Sequence, residues 1–107
     1  EAMLLAEKGG ADPAAIRDAL KGGFADSVIL QQHGQRMTTS NFEPGGLSRM
    51  QLKDINNALE EAGQHELILP LTEQVKTRYT TLIEEMNGAD TDHSALYLEL
   101  LRQNGLL

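Results

Sequence analysis

The chain contains no cysteine and no tryptophan, and it has no long hydrophobic run. The lack of cysteine excludes disulfide bonds and thiolate metal sites, and it leaves the redox compartment without a marker. No apolar stretch approaches the roughly 20 residues that a membrane-spanning helix requires. A signal peptide is also not recognisable. These absences make a cytoplasmic location without a membrane partner the default expectation.

Basic residues are few: nine Lys and Arg stand against 16 Asp and Glu, which gives a net charge of −7. The basic residues are scattered, and this distribution argues against a nucleic-acid or anionic-membrane partner. With 107 residues, of which 40% are hydrophobic and 23% charged, the sequence is typical of a globular protein. We expect residues 1–107 to form a single domain.

Helix start and stop signals divide the chain, and the strand signal is weak. Asp12 followed by Pro13 is an N-cap with proline at the first helical position. Paired glycines at 9–10 and 22–23 end helices. The pattern predicts an all-α bundle with further helices from Ser27 to a break near Gly34, from about 47 to 63, from 70 to about 86, and from about 92 to 104.

Two helices are unusually apolar. Residues 2–6 are apolar on every side, so we expect the first helix to be buried all round and to be the end of a longer helix. The last helix, over residues 95–104, leaves little polar face and is expected to be covered on two sides. Large uncovered apolar faces mark partner surfaces, which favours self-association.

The loop predicted over residues 38–46 is the longest in the chain, and such loops in compact domains are often functional. The helix after it has a buried stripe of Leu52, Ile55, Leu59 and Ala62. Lys53 lies at the edge of this stripe, where its side chain can reach out of the core. An exposed helical lysine is usually only solvated, so its interpretation depends on the surrounding pattern.

Other groupings of reactive residues have ordinary explanations. Asp92, His93 and Ser94 are adjacent at a helix start, whereas triad partners converge from separate parts of a fold, so we interpret them as a cap. His33 is a polar residue near a helix end, and His65 lacks a second histidine one turn away. No metal site is predicted, and no glycine pair has the spacing of a dinucleotide fingerprint.

Five segments, in order, resemble the β-hydroxyacid dehydrogenase family, which includes 3-hydroxyisobutyrate dehydrogenases and 2-hydroxy-3-oxopropionate (tartronate semialdehyde) reductases. Residues 42–59 are similar to its F-x-P segment followed by K-D-L-x-x-A-L, with Lys53 at the lysine and Ile55 in place of the leucine. The other four are residues 1–10 (E-A … L-A-x-x-x-G), 22–27 (G-G-x-A-x-S), 69–72 (L-P-L-T) and 92–96 (D-H-S-A-L).

The resemblance implies the helical C-terminal domain of a 6-phosphogluconate-dehydrogenase-like enzyme, without the N-terminal dinucleotide-binding domain. It implies an NAD- or NADP-dependent oxidoreductase that interconverts a small 3-hydroxy acid and its semialdehyde or 3-oxo form. Lys53 would contact the cofactor, and Phe42 and Asp54 would belong to the substrate cleft. The family's catalytic lysine lies upstream, so no catalytic residue is assigned here, and the 107 residues alone are expected to be inactive.

The resemblance also implies a homo-oligomer, a dimer or larger, formed through the helical domain. From the residues alone a second interpretation stays open, a free-standing helical dimerisation or interaction module. The apolar last helix favours that alternative. The coding sequence upstream of Glu1 would distinguish the two interpretations.

Overall fold

Six α-helices and one short 3-10 helix account for the regular structure of the computed structural model, which describes all 107 residues. The all-α prediction is confirmed. The chain forms two compact units, Glu1–Asn41 and Phe42–Leu107. None of the helices combines the length and hydropathy needed to cross a bilayer. The helices are α1 (Ala2–Lys8), α2 (Pro13–Leu20), α3 (Val28–Thr39), α4 (Ser48–Gln64), α5 (Pro70–Met86) and α6 (Leu96–Gln103), with the 3-10 helix at His93–Ala95.

Local capping signals define the helices of the first unit. The Asp12 carboxylate accepts a hydrogen bond from the Ala15 N–H at 2.8 Å and begins α2. The Ser27 hydroxyl accepts one from the Leu30 N–H at 2.8 Å and begins α3. Both caps follow from side-chain oxygens that satisfy free N–H groups of a first turn. The predicted helix starts are confirmed here.

Gly34 does not break α3, and the predicted break is wrong. The helix continues to Thr39 and ends at Ser40, whose φ is 50°. A Cβ at Gly34 would lie 3.1 Å from the Met3 sulfur and 3.2 Å from Arg17 Cδ. Glycine is therefore used for close helix packing and not as a stop. The following loop begins at residue 40, two residues later than expected.

The first helix is only partly covered. Met3 and Leu4 are buried, but Leu5 is 77% exposed. The expectation that α1 is buried all round is wrong for this unit, because its neighbouring helices cover only the side that carries Met3 and Leu4.

The second unit packs α4, α5 and α6 around one core. Ile55 of α4 meets Tyr79 and Leu82 of α5 and Ala95 of the 3-10 helix. The predicted stripe of α4 is confirmed, since Ile55 and Ala62 are buried and its two leucines pack against the core from half-buried positions. The half-buried apolar residues around this core are Phe42, Leu52, Leu59, Met86, Leu96 and Leu98.

The last helix buries a charged residue. Its leucines are only half-buried, whereas Glu99 is 2% exposed. Arg78 of α5 accounts for this, because its Nε and Nη2 both lie 2.6 Å from Glu99 Oε2. Apolar composition predicted apolar burial on two sides of α6, and the prediction missed this ion pair.

Candidate functional site

Helix α4 begins without a side-chain cap, since Leu47 provides none. Main-chain carbonyls do the capping: the Ser48 N–H donates to Thr91 O at 2.9 Å, and the Arg49 N–H donates to Ala89 O at 3.1 Å. The Ser48 hydroxyl, fully buried, donates to Asp92 O at 3.1 Å. The segment just before the 3-10 helix therefore sets where α4 begins.

The Asp92 carboxylate holds the loop that precedes α4, residues 42–47. Oδ2 accepts hydrogen bonds from the N–H groups of Gly45 at 2.9 Å and Gly46 at 3.2 Å. Oδ1 accepts from the Ser94 N–H at 3.0 Å and from the Ser94 hydroxyl. The predicted cap is confirmed by the bonds to Ser94. The bonds to the 42–47 loop were not foreseen.

The same loop is bound through the backbone on both sides of these glycines. The Asp92 N–H donates to Phe42 O at 2.9 Å, and the His93 N–H donates to Gly46 O at 2.8 Å. Leu47 and Asp92 form an isolated antiparallel bridge. The loop thus cannot move without breaking several bonds to a buried segment.

The pKa shifts of Asp92 and Tyr79 keep both side chains from titrating near neutral pH. Burial alone raises the pKa of Asp92, but hydrogen bonds from Ser94, Gly45 and Gly46 outweigh it and hold the pKa well below its ordinary 3.8. Burial, aided by the Asp92 charge, raises the pKa of Tyr79 to about 12. The Tyr79 hydroxyl donates to His93 O at 2.8 Å. The Asp92 carboxylate consequently serves to hold backbone groups, and neither side chain provides acid–base chemistry.

The low pKa of Asp92 predicts a loss of stability in acid. A carboxylate whose pKa is depressed on folding contributes stability above its unfolded pKa and loses it as the pH falls through the folded one. We expect Asp92→Asn to lower the urea unfolding midpoint at pH 6. The midpoints of the variant at pH 6 and pH 3 should also differ less than those of the parent. If the urea midpoints of the variant and the parent fall equally between pH 6 and pH 3, the assigned hydrogen bonds are contradicted.

Lys53 lies in the second turn of α4, on the helix start that this network holds. Its Nζ is 2.8 Å from Asp54 Oδ1, and the two side chains are 54% and 62% exposed. An exposed pair of this kind contributes about 0–1 kcal/mol, so a ligand can replace it at little cost. Phe42 is half-buried and packs against the core. The structure thus places Lys53 and Asp54 together at the surface and Phe42 in the held loop.

No sequence signal indicated the Asp92 contacts to the glycines. The bonded residues are 46 and 47 positions apart, and no local pattern reports a contact at that separation. The sequence features were recognised separately, as a glycine pair before a helix and an aspartate at a helix cap. Only the fold joins them.

Comparison with known proteins gives consistent results. Residues 1–100 match a family model described as the NAD-binding region of NADP-dependent 3-hydroxyisobutyrate dehydrogenase. The chain is 44% identical to the 2-hydroxy-3-oxopropionate reductase of Escherichia coli K12 over 99% of its own length and 37% of that protein. It is 28% identical to a probable mitochondrial 3-hydroxyisobutyrate dehydrogenase-like protein of Arabidopsis thaliana, over 82% of the chain and 28% of that protein.

A solved structure has the same fold. The crystal structure of a 3-hydroxyisobutyrate dehydrogenase from Salmonella typhimurium superposes with a TM-score of 0.80 at 20% identity, covering 89% of this chain and 33% of that one. The chain therefore spans about a third of the length of these relatives. Its helical fold and its sequence agree on one assignment: the chain belongs to the 3-hydroxyisobutyrate dehydrogenase family of NAD(P)-dependent oxidoreductases.

Proposed function

We propose that the chain is the C-terminal helical domain of an NAD(P)-dependent dehydrogenase that interconverts a small 3-hydroxy acid and its semialdehyde or 3-oxo form. The observation that carries this proposal is the 44% identity to a 2-hydroxy-3-oxopropionate reductase along almost the whole chain. The catalytic lysine and the dinucleotide-binding domain would lie in the remainder of the longer protein. The 107 residues by themselves would be inactive.

Lys53 is proposed to contact the nicotinamide cofactor, NAD or NADP. An ammonium group offers three hydrogen-bond donors, and a dinucleotide carries phosphate, ribose and carboxamide oxygens that accept them. The cofactor supplies the hydride chemistry when bound, and the protein positions it against the substrate. The exposure of Lys53 and its weak pairing with Asp54 suit a side chain that changes partner on binding.

Asp54 and Phe42 have supporting roles in this proposal. Asp54 orients the Lys53 ammonium before the cofactor arrives, through their 2.8 Å contact. Phe42 adds an apolar wall to the substrate cleft from a loop whose backbone is fixed by Asp92. No residue of the 107 is assigned to the chemical step.

The assembly is proposed to be a homo-oligomer. Three apolar side chains of the second unit support a partner surface: Leu67, Ile68 and Leu71 are 60%, 88% and 76% exposed. Exposed apolar side chains this close in the sequence favour contact with another surface. A cytoplasmic location belongs to the same proposal.

Replacing Lys53 by methionine in the full-length enzyme tests the function. The variant keeps most of the unbranched side chain but removes its charge and donors. We expect the KM for the cofactor to rise about 10- to 100-fold, because hydrogen bonds from charged groups contribute about 1.5–3 kcal/mol. Steady-state kinetics with NAD and with NADP would measure it.

Lys21→Met is the matched control, since Lys21 is an exposed lysine at the end of α2. It should leave the KM for the cofactor unchanged. If Lys53→Met behaves like this control, Lys53 has no part in cofactor binding. An enzyme that shows no NAD- or NADP-dependent oxidation of any 3-hydroxy acid would remove the proposed function itself.

A further inference from the structure

We propose that Asp92 is the positioning residue of the cofactor site, because its carboxylate and its backbone together hold the 42–47 loop and the start of α4, and thereby the places of Phe42 and Lys53. The inference rests on the proposed role of Lys53. Asp92 touches neither cofactor nor substrate, since it is 1% exposed. It acts through the loop and through the start of α4.

The carboxylate does more than a helix cap requires. Capping of the 3-10 helix uses only Oδ1, which accepts from Ser94. Oδ2 takes no part in that cap and accepts from two successive N–H groups, those of Gly45 and Gly46. An ionised carboxylate can accept on both oxygens, whereas an asparagine side chain would set an NH₂ group against donors on one side.

A continuous set of bonds connects Asp92 to the proposed site. Its side chain holds Gly45 and Gly46, and its own N–H holds the carbonyl of Phe42. Its carbonyl accepts from the Ser48 hydroxyl at the first residue of α4. Phe42 begins the 42–47 loop and Lys53 follows one turn into α4. One buried aspartate therefore sets the backbone on both sides of the loop.

The exact positions of Phe42 and Lys53 matter because displacing a group at an active site by about 1 Å can lower the reaction rate as much as 100-fold. In Asp92→Asn the amide cannot accept from both Ser94 and the glycine pair, so one side is released. If the glycine side is released, the 42–47 loop loses its two bonds to the side chain and keeps the backbone bonds to Phe42 O and Gly46 O. The loop directly before α4 is then less firmly fixed, and we expect Lys53 to shift relative to the cofactor. A purely structural role would lower stability and leave cofactor binding as it was.

The experiment is a double-mutant cycle in the full-length enzyme with Asp92→Asn, Lys53→Met and the two combined. We expect Asp92→Asn to retain its helical circular dichroism and to raise the KM for the cofactor about tenfold, the loss expected when Lys53 no longer makes one hydrogen bond to it. In the Lys53→Met background the same change should alter the KM by less than about twofold, because its effect passes through Lys53.

Tyr79→Phe is the matched stability control. It removes the hydrogen bond from the Tyr79 hydroxyl to His93 O, on the same buried segment, without touching the bonds to the loop. It should lower the unfolding midpoint and leave the KM for the cofactor unchanged. A rise in KM equal to that of Asp92→Asn would mean that general loosening explains both, which overturns the positioning role.

The other outcomes are equally decisive. Asp92→Asn without helical structure makes Asp92 a folding residue and overturns the inference. A normal KM in Asp92→Asn beside a raised KM in Lys53→Met overturns the inference but keeps the proposed function. A normal KM in Lys53→Met instead removes the cofactor role on which the inference rests.

Discussion

Replacing Glu99 by alanine is expected to lower the free energy of unfolding by about 3–5 kcal/mol. Glu99 is 2% exposed and is bound by both Nε and Nη2 of Arg78. It also accepts a hydrogen bond from the Gln103 side-chain amide. Its removal leaves the Arg78 charge buried and without its carboxylate, and the desolvation of that charge is then uncompensated. Urea unfolding followed by circular dichroism would measure the loss.

A second ion pair between the same two helices provides the control. Arg102 of α6 lies 2.9 Å from Glu85 of α5, with side chains 45% and 56% exposed. Glu85→Ala should cost no more than about 1 kcal/mol because water screens this pair. Replacing Arg78 by methionine together with Glu99 by leucine should recover most of the loss, since no charge is left unpaired. Equal losses for the two glutamates would refute this account.

Leu82→Ala is expected to destabilise the second unit by about 2–5 kcal/mol. Leu82 is 1% exposed and lies in the core beside Ile55, Tyr79 and Ala95. Its truncation removes buried apolar surface and leaves a cavity that the surrounding helices only partly fill. Chemical denaturation would report it as a shift of midpoint at constant slope.

The packing of Gly88 against Leu82 allows a sharper test of this core. A Cβ at Gly88 would lie 2.7 Å from both Cγ and Cδ1 of Leu82 and 2.9 Å from its carbonyl oxygen. Gly88→Ala alone should therefore cost about 1–3 kcal/mol through overpacking. In the Leu82→Ala background Gly88→Ala should cost less than in the parent, since two of the three close atoms, Cγ and Cδ1 of Leu82, are gone. Additivity within about 0.5 kcal/mol would contradict the contact.

Features set by neighbouring residues were predictable. Asp12 with Pro13, Ser27 and Pro70 each begin a helix where the sequence indicated, because a cap or a first-turn proline acts within a few residues. The helical spacing of apolar residues in α4 likewise predicted that Ile55 faces the core. These interactions are local and need no knowledge of the rest of the fold.

The failures share one cause, which is contact between distant segments. Gly34 is a stop signal by its type, but the approach of Met3 and Arg17 makes it a packing residue. Glu99 is a surface residue by its charge, but Arg78 allows its burial. For the candidate site, the exposed edge position of Lys53 followed from helical period, whereas the Asp92 bonds behind it did not.

The main-chain cap on α4 determines which kinds of sequence drift the domain tolerates. Carbonyl groups of Ala89 and Thr91 satisfy the first N–H groups of the helix, so the cap survives when the side chains at 47, 49 and 89 are exchanged. It depends instead on chain length, because one residue inserted or deleted between 88 and 92 would carry both carbonyls away from the helix start. The cap thus tolerates side-chain substitutions at these positions, while small insertions beside it are not tolerated.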